Sequence, residues 1–268
     1  MLLEEGLAAE SLLVAPHRVL HLLPWPGLML DGRRLFEYAA VGILPNLTCA
    51  ELLGRRFTSA PRAALIGAPD YTGLGQLADL PQVGAELADL AVMYRDRNAL
   101  VTAPVTARAA TEAAFRELAG RVEVQGAILH AACHGTLESG EPMASGLLLC
   151  DGKVDAGELA LSRLGYDEVV LSACSTGWRP LVAENVPLTG DDVLGLPGGL
   201  LEAGAGAVLV SIPKADDAAT RAFMTRYHHA RSTRSSPLQS FRAAQLAMLQ
   251  DAFFHPFSWI GFVSYACR

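Results

Sequence analysis

Six short stretches of this chain are apolar almost without a break: Arg18 to Leu23, Ala63 to Ile66, Gly126 to Ala132, Glu168 to Ala173, Gly206 to Ile212 and Trp259 to Tyr265. Runs of that length, bounded by turn formers, suit strands buried on both faces. Helical start signals lie between them. Asp155 with Glu158 three residues on reads as a capping box, and Ser236 followed by Pro237 sets a cap and a first-turn proline ahead of LQSFRAAQLAMLQ. After Asp216, Phe223 and Tyr227 fall one turn apart on one helical face, which is the spacing of core packing. The alternation specifies an α/β fold with a mostly parallel central sheet and helices on both faces.

With 268 residues, 51% of them hydrophobic, the chain suits a single domain around one large core. Residues 1–105 hold no candidate catalytic cluster and 106–268 hold all of them, so a supporting N-terminal lobe and a catalytic lobe are expected. No apolar run reaches the roughly 18 residues of a membrane span. The start, MLLEEGLAAESLL, is acidic where a secretory signal needs positive charge, so the expected location is cytoplasmic. A net charge of -7 argues against nucleic acid or anionic membrane as a partner. The five cysteines are odd in number and scattered, which fits reduced thiols.

Two segments share one design, an apolar strand ending in small residues and then a reactive side chain near glycine. In AILHAACHGT the strand delivers His134 beside Gly135; in EVVLSACSTG it delivers Cys174, with Gly177 behind it. Ligands collect at the carboxyl ends of parallel strands, so both side chains are expected at one sheet edge. A free thiol, with pKa near 8.5, is only a few per cent thiolate at neutral pH, and the thiolate is the nucleophile. A neighbouring imidazole raises that fraction and later protonates a leaving amine. Backbone N–H groups of Gly135 and Cys174 are the expected oxyanion donors, a contribution of about 3 kcal/mol each where such donors have been removed.

Other readings of the same residues are weaker. His130 lies inside its strand and reads as a hydrogen-bonded core residue, and alternation turns Cys133 away from His134. Zinc sites show two short ligand pairs, which His130, Cys133, His134 and Cys150 do not form, so no metal is expected. GLPGGLLEAGAG lacks the GK[ST] ending of a phosphate loop, and its glycines are expected in tight helix-to-strand turns. Gly177 to Asp191 holds two prolines without a period and reads as a long surface loop directly after LSAC.

At these residues the sequence resembles the CHAT-domain peptidases, bacterial relatives of caspases and separase. The resemblance runs through VLHLLPWPGL, HAACHG, LSACSTG, DDVLGLPGGLLEAGAGAVLVS, DDAAT and HPFSWIGFVSY, in order. It implies a caspase-like α/β/α sandwich and peptide-bond cleavage by a His/Cys dyad without a required cofactor. Carried over, His134 is the general base and acid, Cys174 the nucleophile, and Gly135 part of the oxyanion hole. Asp216, Asp217, Ser172 and Trp178 are the candidate substrate contacts. The acidic pair suits a basic residue before the cut, although Asp216 also reads as a helix N-cap and Asp217 as a helix-dipole partner. In VSIPKADD, Pro213 and Lys214 stand where the family commonly has tryptophan, a change that bears on specificity. The implied partners are a protein substrate and a regulatory or sensor protein, in bacterial conflict or cell-death pathways. The alternative is an inactive caspase-like scaffold that binds a partner, and a third reading puts the same dyad to amidase or acyltransferase work on a small molecule.

Overall fold

The computed structural model describes residues 10–17, 20–21, 23–45, 57, 61–72, 77–121, 124, 126–138, 141–172, 182–183, 186–187, 195–211, 217–233, 236–251, 253 and 255–266. The chain opens with β1 (Ser11–Val14), the hairpin β2 (Met29–Leu30) and β3 (Arg33–Arg34), one turn of helix α1 (Leu35–Tyr38), and β4 (Ala40–Ile43). Next come β5 (Ala63–Gly67), the long helix α2 (Pro81–Arg95), β6 (Val105–Thr106) and α3 (Glu112–Ala119). Strand β7 (Ile128–Ala132) leads almost directly into β8 (His134–Thr136), which is followed by β9 (Gly146–Leu148), β10 (Lys153–Asp155) and α4 (Ala156–Ala160). The remainder is β11 (Glu168–Ser172), the hairpin β12 (Val182–Ala183) and β13 (Val186–Pro187), α5 (Leu196–Glu202), β14 (Ala207–Ser211), α6 (Asp217–Ser232), α7 (Pro237–Leu249) and β15 (Phe262–Ala266).

Eight strands form one sheet in the order β1-β4-β15-β14-β11-β7-β5-β6. Of its seven neighbour pairings six are parallel; the exception, β14 with β15, sets three strands at one edge against the direction of the other five. The mostly parallel α/β sheet expected from the sequence is therefore present. It takes strands from both the first 105 residues and the rest of the chain.

Alternation along the strands separates two cores. Ala64, Ile66, Leu129, Ala131, Val169, Leu171, Val208 and Val210 face the layer of α3, α4 and α5. Ala63, Leu65, Ile128, Val170 and Leu209 face α2, α6 and α7, where Phe223 and Tyr227 are buried as their spacing predicts. Ser236 caps α7 through Gln239 N–H, with Pro237 opening the helix. Asp155 caps α4 through Glu158 N–H, but Glu158 does not complete the capping box: its carboxylate binds Arg116 of α3.

Two expectations change. Leu20 and His21, in the first apolar run, lie in a turn and not in a strand, and the Trp25 indole N–H donates to the Leu20 carbonyl, bending the chain at the Pro24–Pro26 step. Of the glycines in GLPGGLLEAGAG, Gly204, at φ +112°, and Gly206 do lie in the tight turn from α5 to β14, but Gly198 and Gly199 lie inside α5, where a Cβ on Gly199 would clash with the Ala156 carbonyl oxygen. That close approach of α5 to α4 is what demands glycine.

On the α2 and α6 side, polar groups are buried behind the central strands. Tyr94 and His228 join at 2.8 Å, His228 and His130 at 3.0 Å, and His130 and Glu86 at 2.8 Å. Burial above all, with His130 and then Arg231 close by, holds His228 well below the usual imidazole range, so it is neutral. Tyr94 O–H then donates to His228 Nδ1, His228 Nε2–H to His130 Nδ1, and His130 Nε2–H to Glu86. Every partner in the chain is satisfied, as buried polar groups require. His130 is thus a core residue, as its place inside the strand indicates. Beside this chain Glu168 accepts from Arg231 at 2.8 Å and from the Tyr227 hydroxyl, all three residues being buried.

Candidate active site

The carboxyl ends of β5, β7 and β11 lie side by side, in register from Ala63, Ile128 and Glu168 to Gly67, Ala132 and Ser172. Gly67 sits where a Cβ would come within 2.9 Å of the Ala132 carbonyl oxygen and 2.7 Å of Val83, so the strand ends close this tightly only around glycine. After Ala132 the chain passes through Cys133, whose N–H donates to the Ser172 carbonyl at 3.3 Å, and enters β8 at His134. β8 pairs antiparallel with β9, with His134 opposite Leu148 and Gly135 opposite Leu147.

His134 is half-buried and held on three sides. Its Nε2 lies 2.7 Å from the Ala78 carbonyl oxygen. A carbonyl only accepts, so Nε2 carries the hydrogen, and in the neutral ring Nδ1 is left to take a proton. Its main-chain N–H donates to the Tyr71 hydroxyl at 2.7 Å, and the Tyr71 ring stands 4.5 Å from the imidazole, centre to centre. Tyr71 and Ala78 are neighbours of His134 that the sequence does not announce. Both come from the first 105 residues, so that half of the chain does reach the candidate site.

Cys174 lies outside the described residues, as do Trp178, Asp216, Pro213, Lys214 and most of the Gly177–Asp191 loop. What is described is the strand that leads to it. β7 and β11 pair with a constant offset of 40 positions, from Ile128 and Glu168 to Ala132 and Ser172. His134 follows Ala132 by two residues, and Cys174 follows Ser172 by the same two.

Of the other candidates, Gly135 continues β8 directly beyond His134. Ser172 is buried at the end of β11. Asp217 opens α6, and its carboxylate accepts from the N–H of Gln82 at 3.0 Å, capping the first turn of α2. Arg221, one turn further along α6, reaches the Gln82 side chain and Asp89 of α2. Cys133 is sealed in the core, where burial pushes its thiol up to about 12. Among the described residues no three His, Cys, Asp or Glu side chains are grouped to hold a metal ion. Nor is any described helix long and apolar enough to cross a membrane.

A mostly parallel sheet of this order, flanked by helices, is the caspase-like fold. The chain belongs to the CHAT domain family, whose pattern it matches over residues 2–266. Among solved structures it is similar to separase from the Saccharomyces cerevisiae separase–securin complex, with TM-score 0.61 and 13% identity over 95% of this chain and 15% of that one. It is also similar to the Arg-specific cysteine proteinase gingipain R, with TM-score 0.59 and 11% identity over 89% of this chain and 56% of that one. The Porphyromonas gingivalis RgpB complex of pro- and mature domains gives TM-score 0.54 and 12% identity over 90% and 61%. The chain therefore spans under two thirds of each of these proteins. No curated protein matches it.

Proposed function

We propose that this protein is a cysteine endopeptidase in which Cys174 is the nucleophile and His134 its general base and acid. The supporting observation is the in-register pairing of β7 with β11, from whose paired ends, Ala132 and Ser172, His134 and Cys174 each follow two residues along the chain. In this reading the Cys174 thiol proton passes to His134 Nδ1 and the thiolate attacks the scissile carbonyl carbon. The N–H groups of Gly135 and Cys174 stabilise the resulting oxyanion. The C–N bond then breaks, the amine leaves with the proton from His134, and a thioester remains. Water, deprotonated by His134, hydrolyses the thioester and returns the thiol. The Ala78 carbonyl supports each step by keeping Nε2 protonated and orienting the ring, and it stabilises the imidazolium when it forms.

The substrate is a polypeptide. A basic residue before the cut fits Asp216, because the Asp217 carboxylate is engaged at the start of α2. The similar gingipain R is described as Arg-specific, and the separase structure as a complex with securin. A protein regulator and a role in a bacterial conflict or cell-death pathway complete the proposal. The test is a peptide-library cleavage profile of the wild type beside Cys174→Ala and His134→Ala, with the melting temperature of each. Cleavage after Arg or Lys, lost in both variants at unchanged melting temperature, is the expected result. Cleavage that survives Cys174→Ala would overturn the assignment, and a preference for Asp would remove the acidic pocket.

A further inference from the structure

The segment between β5 and α2 closes on itself at its base. Leu80 N–H donates to the Pro69 carbonyl at 2.9 Å, and Tyr71 N–H to the Asp79 carboxylate at 3.1 Å. These two bonds hold residues 69–72 and 77–80 together as the paired ends of the segment. Both ends grip the same residue. Ala78 holds the tip of the His134 side chain, while Tyr71 holds its main chain and flanks its ring. The Tyr71 hydroxyl does a second thing. While accepting from His134 N–H, it donates to the Leu148 carbonyl at 3.0 Å, so it joins the two residues that face each other across β8 and β9.

We propose that Tyr71 is a positioning residue of the active site: through its hydroxyl it fixes the backbone of His134 against Leu148, and with its ring it sets the plane of the imidazole. The proposal rests on the reading of His134 and Cys174 as the working pair. Tyr71 is 1% exposed, and burial raises its phenol far above the ordinary range, so it stays protonated and is able to accept and donate together. Core packing alone does not ask for this hydroxyl, because phenylalanine fills the same apolar space. What phenylalanine lacks is the bridge, and without it His134 N–H and Leu148 C=O lose their shared partner. A base displaced by a fraction of an ångström transfers protons far less well, and misplacements of about 1 Å cost roughly 100-fold in related situations.

The test is the rate of Cys174 alkylation by iodoacetamide, followed by peptide mass spectrometry from about pH 5 to about pH 9. In the wild type the reactivity should persist well below the ordinary thiol range because the imidazolium stabilises the thiolate. In His134→Ala the inflection should move to the free-thiol value near 8.5. Tyr71→Phe should fall between them, about 10-fold slower than wild type near pH 6, and Tyr71→Leu lower still. In the His134→Ala background, Tyr71→Phe should have no further effect. A Tyr71→Phe profile identical to wild type while His134→Ala is shifted would overturn the proposal and leave the dyad standing. The same holds if Tyr71→Phe slows alkylation equally with and without His134. If His134→Ala itself leaves the profile unchanged, the dyad fails and this inference with it. Should Tyr71→Phe not fold, amide hydrogen exchange on the wild type decides: His134 N–H is expected to be strongly protected, and exchange as fast as exposed loop amides would sink the bridge.

Discussion

Replacing Glu168 by glutamine tests how the central strands are anchored. The carboxylate is 1% exposed at the start of β11 and receives Arg231 Nε at 2.8 Å together with the Tyr227 hydroxyl. Arg231 is also 1% exposed. Glutamine keeps the volume but removes the charge, and turns an amide donor toward groups that are themselves donors. Removing one partner of a buried ion pair costs about 3 to 5 kcal/mol, because the other charge stays desolvated. Whole domains are stable by only about 5 to 15 kcal/mol, so a large share of the total is at stake. With a urea slope of about 3 kcal/mol/M, the unfolding midpoint followed by circular dichroism should drop by roughly 1 to 1.7 M. Glu168 precedes Ser172 by four residues, about 13 Å along the strand, so the folded variant should keep Cys174 reactivity within about twofold. Replacing Glu168 and Arg231 together by methionine should restore most of the loss. A midpoint change worth less than about 1 kcal/mol would show that water screens this pair, and lost reactivity at full stability would show that the start of β11 is coupled to the site.

Further outcomes follow from the same geometry. Gly67→Ala should cost about 1 to 3 kcal/mol, seen as a lower calorimetric melting temperature, because its Cβ meets the Ala132 carbonyl and Val83. The folded chain keeps His228 neutral, whereas the unfolded chain protonates it near its ordinary 6.5, so the unfolded state binds more protons in acid. The His228 contribution is therefore complete above about pH 6.5 and falls by up to about 1.4 kcal/mol per pH unit below it, a slope that His228→Leu should flatten in urea titrations across that range. Cys133, with its thiol pushed up to about 12 by burial, should remain unlabelled in the native protein near pH 8 and react only on unfolding.

The central strands were readable because burial on both faces leaves an unbroken apolar run, as in AALI and EVVLS. The edge strand Ser11–Val14 and the strand beside it, Ala40–Ile43, escaped that criterion: each is four residues long, the first pairs with the second and the second with β15, all across long stretches of chain. The VLHLL run misled because apolar residues alone do not make a strand: Leu20 and His21 lie in a turn, and the Leu20 carbonyl accepts from the Trp25 indole. Strand-end placement made His134 legible as a candidate, and it does follow the carboxyl end of β7, the end of a parallel strand that faces ligands. Tyr71 and Ala78 carry no such mark. One is a lone aromatic in a polar loop and the other acts through its carbonyl, and both meet His134 more than fifty positions away. Asp217 was visible as an acidic residue at a helix start, but the helix it caps is α2, 135 residues distant, which local patterning does not encode.

Whether one sulfur and one imidazole share a site is asked most directly by a short dihaloketone such as 1,3-dibromoacetone. The thiolate displaces one bromide, and an adjacent ring nitrogen then displaces the other. Mass spectrometry of the digested wild-type protein should show the Cys174 peptide bridged to the peptide that carries His134, and the bridge should vanish in His134→Ala. Alkylation of Cys174 without a bridge, or a bridge to any other histidine, would contradict the account.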